Sequence, residues 1–227
     1  MTIHLQRELE KIRRMLLSLG ALTEDRFRLA IRALNTLDVA LAQEIIEKDQ
    51  EIDFKEVQIE EECLKVLALH QPVAGDLRSL VVVIKINNDL ERIADEAANI
   101  ASCVKILAKK AGTGFTCDYT SMAEKTGLML KMSLDAFVHQ DDEMAEKVRL
   151  MDKEVDTLYN SAYDQIKKAI AEAPDQAGYL INLFLVSRHL ERMADHATNI
   201  AEEVIYMRRG EIIRHTEALD YDHSGDA

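Results

Sequence analysis

Carboxylates recur at four-residue spacing in two nearly identical stretches of this chain. "NNDLERIADEAANIA" occupies residues 87–101, and "SRHLERMADHATNIA" occupies residues 187–201. Each stretch has a Glu followed four residues later by an Asp: Glu91 and Asp95, then Glu191 and Asp195. Residues four apart on an α-helix are rotated by about 40°, so each pair forms one acidic column on a helix face.

Two further acidic pairs have the same spacing. "KDQEID" contains Asp49 and Asp53, and "MDKEVD" contains Asp152 and Asp156. In an antiparallel helix pair, residues equally distant from the turn lie at the same height. Asp49 and Asp95 are equally distant from Pro72, and so are Asp53 and Glu91. Asp152 with Asp195, and Asp156 with Glu191, are placed in the same way about the Ala173–Pro174 bond. The spacing therefore predicts two clusters of four carboxylates.

Carboxylates held this close repel one another or take up protons, and a polyvalent cation removes that cost. An all-carboxylate site favours hard metals such as Mg, Mn or Fe, or Zn with added His or water, and bridging carboxylates allow several ions. His196 follows Asp195, whereas Glu96 has the equivalent place in the first repeat, so we expect the two sites to differ. The alternative interpretation is a solvated acidic face neutralised by Arg92, Arg192 and Lys48.

The acidic columns lie beside the apolar stripes and not within them, which predicts a shallow, solvent-accessible site. A buried di-iron oxidase would instead direct Glu-x-x-His ligands into the core, and the chain has no such motif. It also has no Ser/His/Asp spacing, nucleotide-binding glycine loop or H-E-x-x-H motif. We therefore predict that the protein is not an enzyme.

The elements that must position these residues are helices. Only two prolines and eight glycines occur, and apolar residues follow helical spacing nearly throughout. Short joints between long helices make neighbours antiparallel. The prediction is an all-α protein of two tandem three-helix-bundle repeats, with six long antiparallel helices. They cover 6–37, 39–69, the stretch from the Pro72 turn to 110, 120–139, 143–171, and the stretch from the Pro174 turn to 208.

The glycine-containing stretch "AGTGFTCD", residues 111–118, divides the repeats. We expect residues 1–112 and 118–210 to form one repeat each, and residues 211–227 to form a flexible tail.

Composition excludes some partners. The net charge of −13 disfavours nucleic acid, and no apolar run is long enough to insert in a bilayer. Three cysteines without metal-site spacing fit a reducing compartment, and the polar N-terminal stretch does not resemble a signal peptide, so we expect a cytoplasmic protein.

The segments "QPVAGDLRSLVVVIKINNDLERIADEAANIA" and "LERMADHATNIAEEVIYMRRGEIIRH" closely resemble the PhoU family, across essentially the whole chain. The resemblance implies metal clusters held by the E/D-x-x-x-D pairs, which fall here on Asp49, Asp53, Glu91, Asp95, Asp152, Asp156, Glu191 and Asp195. The family usually reads Gly-Asp-His at this point, whereas the first repeat reads Ala94-Asp95-Glu96, so a histidine ligand in the first site lacks support.

The resemblance further implies a usually homodimeric regulator of phosphate homeostasis that restrains uptake. Its partners would be the ATPase subunit of the Pst phosphate ABC transporter and a PhoR-type sensor histidine kinase, so it would also restrain phosphate-starvation two-component signalling. Two alternatives stay open: a carboxylate-metal phosphohydrolase, and a purely structural helical scaffold.

Overall fold

Long helices account for most of the computed structural model, which describes residues 3–110 and 115–213. Within those residues there is no strand. In chain order the helices are α1 (Ile3–Thr36), α2 (Val39–Glu47), α3 (Gln50–His70), α4 (Ala74–Leu107), α5 (Thr120–His139), α6 (Asp142–Glu172) and α7 (Ala177–Arg209). Single 3-10 turns cover Ala108–Lys110 and Pro174–Gln176.

Capping residues set where several helices begin and end. Asp38 accepts a hydrogen bond from the Leu41 amide at 3.0 Å, and Asp141 accepts one from the Met144 amide at 2.9 Å, so both aspartates cap free amides at a helix start. Gln71 and Gln140 adopt left-handed backbone conformations after α3 and α5. These positions close the helices and let the chain reverse.

The predicted single helix over residues 39–69 is wrong at one point, because Lys48 and Asp49 separate α2 from α3. The amides of Glu51 and Ile52 bond to carbonyls three residues earlier, at 3.2 and 2.8 Å, in place of the usual four. The helix is therefore tightened by a 3-10 step at Asp49. Neither proline nor glycine marks the position, so the sequence carried no breaker signal for it.

The helices form two repeats, α1 to α4 and α5 to α7, each a bundle of three long helices if α2 and α3 count as one. Among the described helices, α4 and α7 share the most extensive packing, which joins the repeats. Alanines on both helices are fully buried, and small side chains of this kind permit close helix approach. The buried apolar residues of both repeats belong to one continuous cluster. The predicted fold class is confirmed.

No helix in the described ranges combines the length and apolar character needed to cross a bilayer. The predicted tail, from residue 214 onward, and residues 111–114 of the joint lie outside the described residues. The predicted domain limits stay a prediction.

Candidate metal centre

The first acidic cluster forms where α3 begins and α4 passes beside it. Each of Asp49, Asp53 and Asp95 offers a carboxylate oxygen, and these three atoms lie within 4.8 Å of one another. Oxygens on opposite sides of one hard cation are separated by about 4 to 5 Å, so the spacing suits a shared ion. Within the described residues, no other set of three acidic, His or Cys side chains meets the same distance.

Glu91 completes the first cluster and has an unsatisfied oxygen. Its Oε2 atom is buried and accepts no hydrogen bond, although Arg92 Nε lies 3.4 Å away. Arg92 Nη1 also lies 3.6 Å from Asp95 Oδ2, and half of the Arg92 side chain is exposed. A buried carboxylate oxygen without a donor is costly, and a bound cation would satisfy it. This atom supports a cation site independently of the acidic clustering.

The second cluster lies between α6 and α7 and is built differently. Asp152 and Glu191 are half-buried and Asp156 is exposed. Asp195 is exposed as a whole residue, although the surrounding helices remove much of the water around its carboxyl group. Thr198 donates a hydrogen bond from Oγ1 to Asp152 Oδ1 at 3.2 Å. Ala98 occupies the equivalent place in the first repeat, so only the second cluster has this donor.

Carboxylates within each cluster raise one another's pKa values. Burial, followed by the charges of Asp95 and Asp53, raises the pKa of Asp49 to about 6. Burial, followed by the charges of Glu191, Asp152 and Asp156, raises the pKa of Asp195 to about 7.

The same causes act on four other members of the two clusters. Burial, with neighbouring carboxylates, raises the pKa of Glu91, Asp95, Asp152 and Glu191. The structure thus brings the level pairs of each hairpin together, and metal ligation by the eight residues stays a prediction.

Glu96 and His196, which the sequence placed beside the ligands, point elsewhere. Glu96 Oε2 lies 2.6 Å from His189 Nδ1, and Glu96 Oε1 lies 2.9 Å from Arg192 Nη1. His196 Nδ1 lies 2.8 Å from Asp89 Oδ1. One residue is about 100° of helix rotation, so each side chain faces the other repeat across α4 and α7. The expected difference between the two sites stays a prediction.

Glu56 is an acidic neighbour of the first cluster that the sequence reasoning missed. Burial raises the pKa of Glu56, and the charges of Glu60 and Asp53 raise it further. The charge of Glu56 in turn helps to raise the pKa of Glu91. Asn87 donates from Nδ2 to the Glu56 carbonyl at 2.9 Å and to Glu56 Oε1 at 3.2 Å. The counting about Pro72 that paired the ligands would also have placed Glu56 level with residues 87 and 88. Tyr159 stands at the equivalent place in α6.

The donor set fits hard cations. It consists of carboxylate oxygens at half-exposed positions, which are the ligands that Mg, Mn and Fe ions favour. Zn would need an additional His or water.

The protein is thus of the class that has a duplicated all-α fold with one carboxylate cluster in each repeat. Comparison with known proteins identifies its family. The family model for the PhoU domain matches twice, over residues 16–104 and 119–204. The chain belongs to the PhoU family.

Several relatives support this membership. The phosphate-specific transport system accessory protein PhoU homolog of Pseudomonas aeruginosa is 37% identical over 92% of this chain and 86% of its own length. The homolog of Aquifex aeolicus is 38% identical over 92% of this chain and 95% of its own length.

Solved structures agree with the fold. The crystal structure of PhoU from Pseudomonas aeruginosa superposes with a TM-score of 0.86 at 37% identity, covering 91% of this chain and 99% of that one. The phosphate transport system regulatory protein PhoU from Streptococcus pneumoniae gives a TM-score of 0.81 at 29% identity, covering 92% and 98%.

Proposed function

We propose that this protein is a metal-binding adaptor that restrains phosphate uptake. The observation that carries the proposal is the first cluster, where Asp49, Asp53 and Asp95 converge within 4.8 Å beside the buried, unsatisfied oxygen of Glu91. One or more divalent or trivalent ions, of Fe, Mn, Mg or Zn, would occupy each cluster. The ions would replace the protons that the raised pKa values otherwise favour.

The partners follow from the relatives. Curated relatives bear the name phosphate-specific transport system accessory protein. These names support a role beside a phosphate transporter. We further propose a cytoplasmic homodimer that contacts the ATPase subunit of a Pst-type phosphate transporter and a PhoR-type sensor histidine kinase. When phosphate is plentiful, the protein would then keep both phosphate uptake and phosphate-starvation signalling low. The proposed action is by binding, without turnover, and a carboxylate-metal phosphohydrolase is the alternative that the experiment distinguishes.

Metal content and regulation test this proposal together. The wild-type protein, purified without chelator, should contain metal by elemental analysis. Asp49→Asn combined with Asp95→Asn should lower that content, because two of the three converging oxygens lose their charge. In a deletion strain, the same double variant should fail to restore low phosphate uptake in phosphate-rich medium. Asp164→Asn, at an exposed acid outside both clusters, is the matched control and should restore it.

Three results would contradict the proposal. The first is wild-type protein without bound metal. The second is normal regulation by the double variant despite lost metal, which would make the metal dispensable. The third is metal-dependent hydrolysis of p-nitrophenyl phosphate that Asp95→Ala abolishes, which would favour the enzyme alternative.

A further inference from the structure

Helix α3 has apolar side chains on two opposite faces. One face is buried in the core and consists of Ile52, Ile59, Cys63 and Val66. On the opposite face, Phe54 is 64% exposed, Val57 49% and Leu64 53%. With about 100° of rotation per residue, the exposed set is centred roughly half a turn from the buried set. The exposed face therefore makes no contribution to the core of this chain.

The second repeat provides an internal comparison for this surface. The offset that aligns Asp49 with Asp152 also aligns all four buried residues of α3 with buried residues of α6, namely Val155, Ala162, Ile166 and Ala169. At the places equivalent to Phe54, Val57 and Leu64, α6 has Thr157, Asn160 and Lys167. The core pattern is duplicated and the outer apolar face is not. The fold can thus be built without that face.

The spacing of the exposed residues is that of a helix-docking seam. Phe54, Val57, Glu61 and Leu64 follow the alternating three- and four-residue steps by which one helix packs along another. Glu61 is exposed and lies between Val57 and Leu64. A single charged residue within such a seam favours a partner that offers the opposite charge at that level.

The charges beside the seam indicate the sign of the charge that a partner should carry. Glu60 borders it and is exposed, and neither Glu60 nor Glu61 forms a salt bridge among the described residues. Lys65 is exposed nearby but pairs with Glu62 at 2.7 Å. A second copy docked through the same face would set the acidic residues Glu60 and Glu61 against their own equivalents, so this pairing is electrostatically unfavourable. A basic helix would be attracted.

We infer that the outer face of α3, formed by Phe54, Val57, Glu61 and Leu64, docks a basic amphipathic helix of a partner protein. The apolar side chains of that helix cover Phe54, Val57 and Leu64, and a Lys or Arg lies opposite Glu61. This surface would be a docking site of the adaptor proposed above, and the inference rests on that proposal for its biological role. Binding at α3 is nevertheless separable from metal binding and is tested on the isolated protein.

The test uses two synthetic helical peptides of about three heptads. The basic peptide has Leu at the seam positions, one Lys within the seam and Lys at the flanking positions. The acidic peptide has Glu at each Lys position. Fluorescence anisotropy at about 0.15 M salt, where distant surface charges are screened, should show binding of the basic peptide only. Phe54→Ser combined with Leu64→Ser should weaken that binding by about tenfold or more.

Two other variants distinguish binding at the seam from nonspecific hydrophobic binding. Glu61→Lys should weaken binding of the basic peptide and strengthen binding of the acidic one. Ile181→Ser removes a comparably exposed apolar side chain, 48% exposed, from α7 and should bind like wild type. All of these side chains are exposed, so unchanged circular dichroism should verify folding.

Three outcomes would overturn the inference. The acidic peptide binds as well as the basic one, or Ile181→Ser loses as much affinity as the double variant. Alternatively, sedimentation equilibrium shows that the double variant converts a dimer to a monomer, which identifies a second copy as the occupant. If the basic peptide does not bind but metal-dependent regulation is intact, only the inference about the α3 surface is rejected. Loss of metal-dependent regulation with intact peptide binding would reject the proposed function alone.

Discussion

Individual carboxylates in the two clusters differ in the charge they hold near neutral pH. Burial and the acidic neighbours raise the pKa of Asp195 to about 7 and that of Asp49 to about 6. Without a cation, Asp195 is therefore partly protonated at neutral pH. Because metal ions bind the ionised form, cation binding should release protons from these sites.

Asp195 should make the metal-free protein less stable as the pH rises. A carboxyl whose pKa is raised from 3.8 to about 7 keeps its proton in the folded state while the unfolded chain has lost it. The folded state then binds more protons, so its stability falls between those two pH values. Asp195→Asn has no proton to lose. The free energy of unfolding of wild type, relative to this variant, should decline across that window in urea titrations with chelator.

The same titrations with Mn²⁺ are the control for this prediction. Mn²⁺ bound to the ionised cluster should make wild type gain stability over Asp195→Asn as the pH rises. A difference between the two proteins that stays constant with pH in chelator would contradict the assignment of the raised pKa to Asp195.

At the scale of elements, α4 and α7 are joined by two acid–histidine pairs that the duplication relates. Asp89 and His189 occupy equivalent places in the repeats, as do Glu96 and His196. The contacts are Glu96 with His189 and Asp89 with His196, so α4 supplies both acids and α7 supplies both histidines. The two equivalent helices pack antiparallel, so position 89 of α4 faces position 196 of α7, and position 96 faces position 189. The positions in contact are therefore related by an approximate twofold symmetry.

Glu96→Gln should weaken this interface in a pH-dependent way. Burial alone would raise the pKa of Glu96, but hydrogen bonds from His189 and Asn99 and the charges of His189 and Arg192 lower it below 4.5. A lowered pKa stabilises the fold above the unfolded value, and that contribution is lost as the pH falls through the folded pKa. We expect Glu96→Gln to cost about 1–3 kcal/mol at pH 7 in urea unfolding, and less at acid pH.

Glu172→Gln is the matched control for the interface. Glu172 is exposed, and its contact with Lys168 is 3.9 Å long, so its loss should change stability by less than about 0.5 kcal/mol. If Glu96→Gln were equally silent at pH 7, the interrepeat pairing would contribute nothing to stability.

At the scale of the molecule, the two repeats share their interior. Buried apolar residues of both repeats form one cluster, and α4 and α7 share the most extensive packing among the described helices. A repeat separated from its partner would expose its packed face to water. Exposed apolar area of this kind drives association.

Residues 1–112 alone should therefore self-associate in sedimentation velocity and bind the dye 1-anilinonaphthalene-8-sulfonate. Coexpression with residues 113–227 should restore a defined complex that no longer binds the dye. A monomeric, dye-free first repeat would show instead that each repeat folds independently and that the α4–α7 contact is secondary.

Much of this molecule follows from local sequence. The helical period, the two prolines and the short joints were sufficient to predict six long helices and the duplication. The break at Lys48 and Asp49 was not predictable in this way, since it arises from a shift in backbone hydrogen bonding without a breaker residue. Equal distance from the Pro72 turn also placed Asp49 level with Asp95, and Asp53 level with Glu91 about one helical turn away. Rise per residue and a reversed direction fix these heights in a hairpin.

The direction in which side chains point, and what covers them, depended on packing between the repeats. The sequence set Glu96 and His196 beside the ligands, but the rotation of α4 against α7 turned both toward the opposite repeat. The sequence also showed Phe54, Val57 and Leu64 only as apolar residues on a helix, and tertiary packing left them uncovered. Sequence by itself determined elements and heights, because both depend on local geometry. Only the tertiary structure decided faces and partners, because the rotation of packed helices is set by contacts between residues about a hundred positions apart.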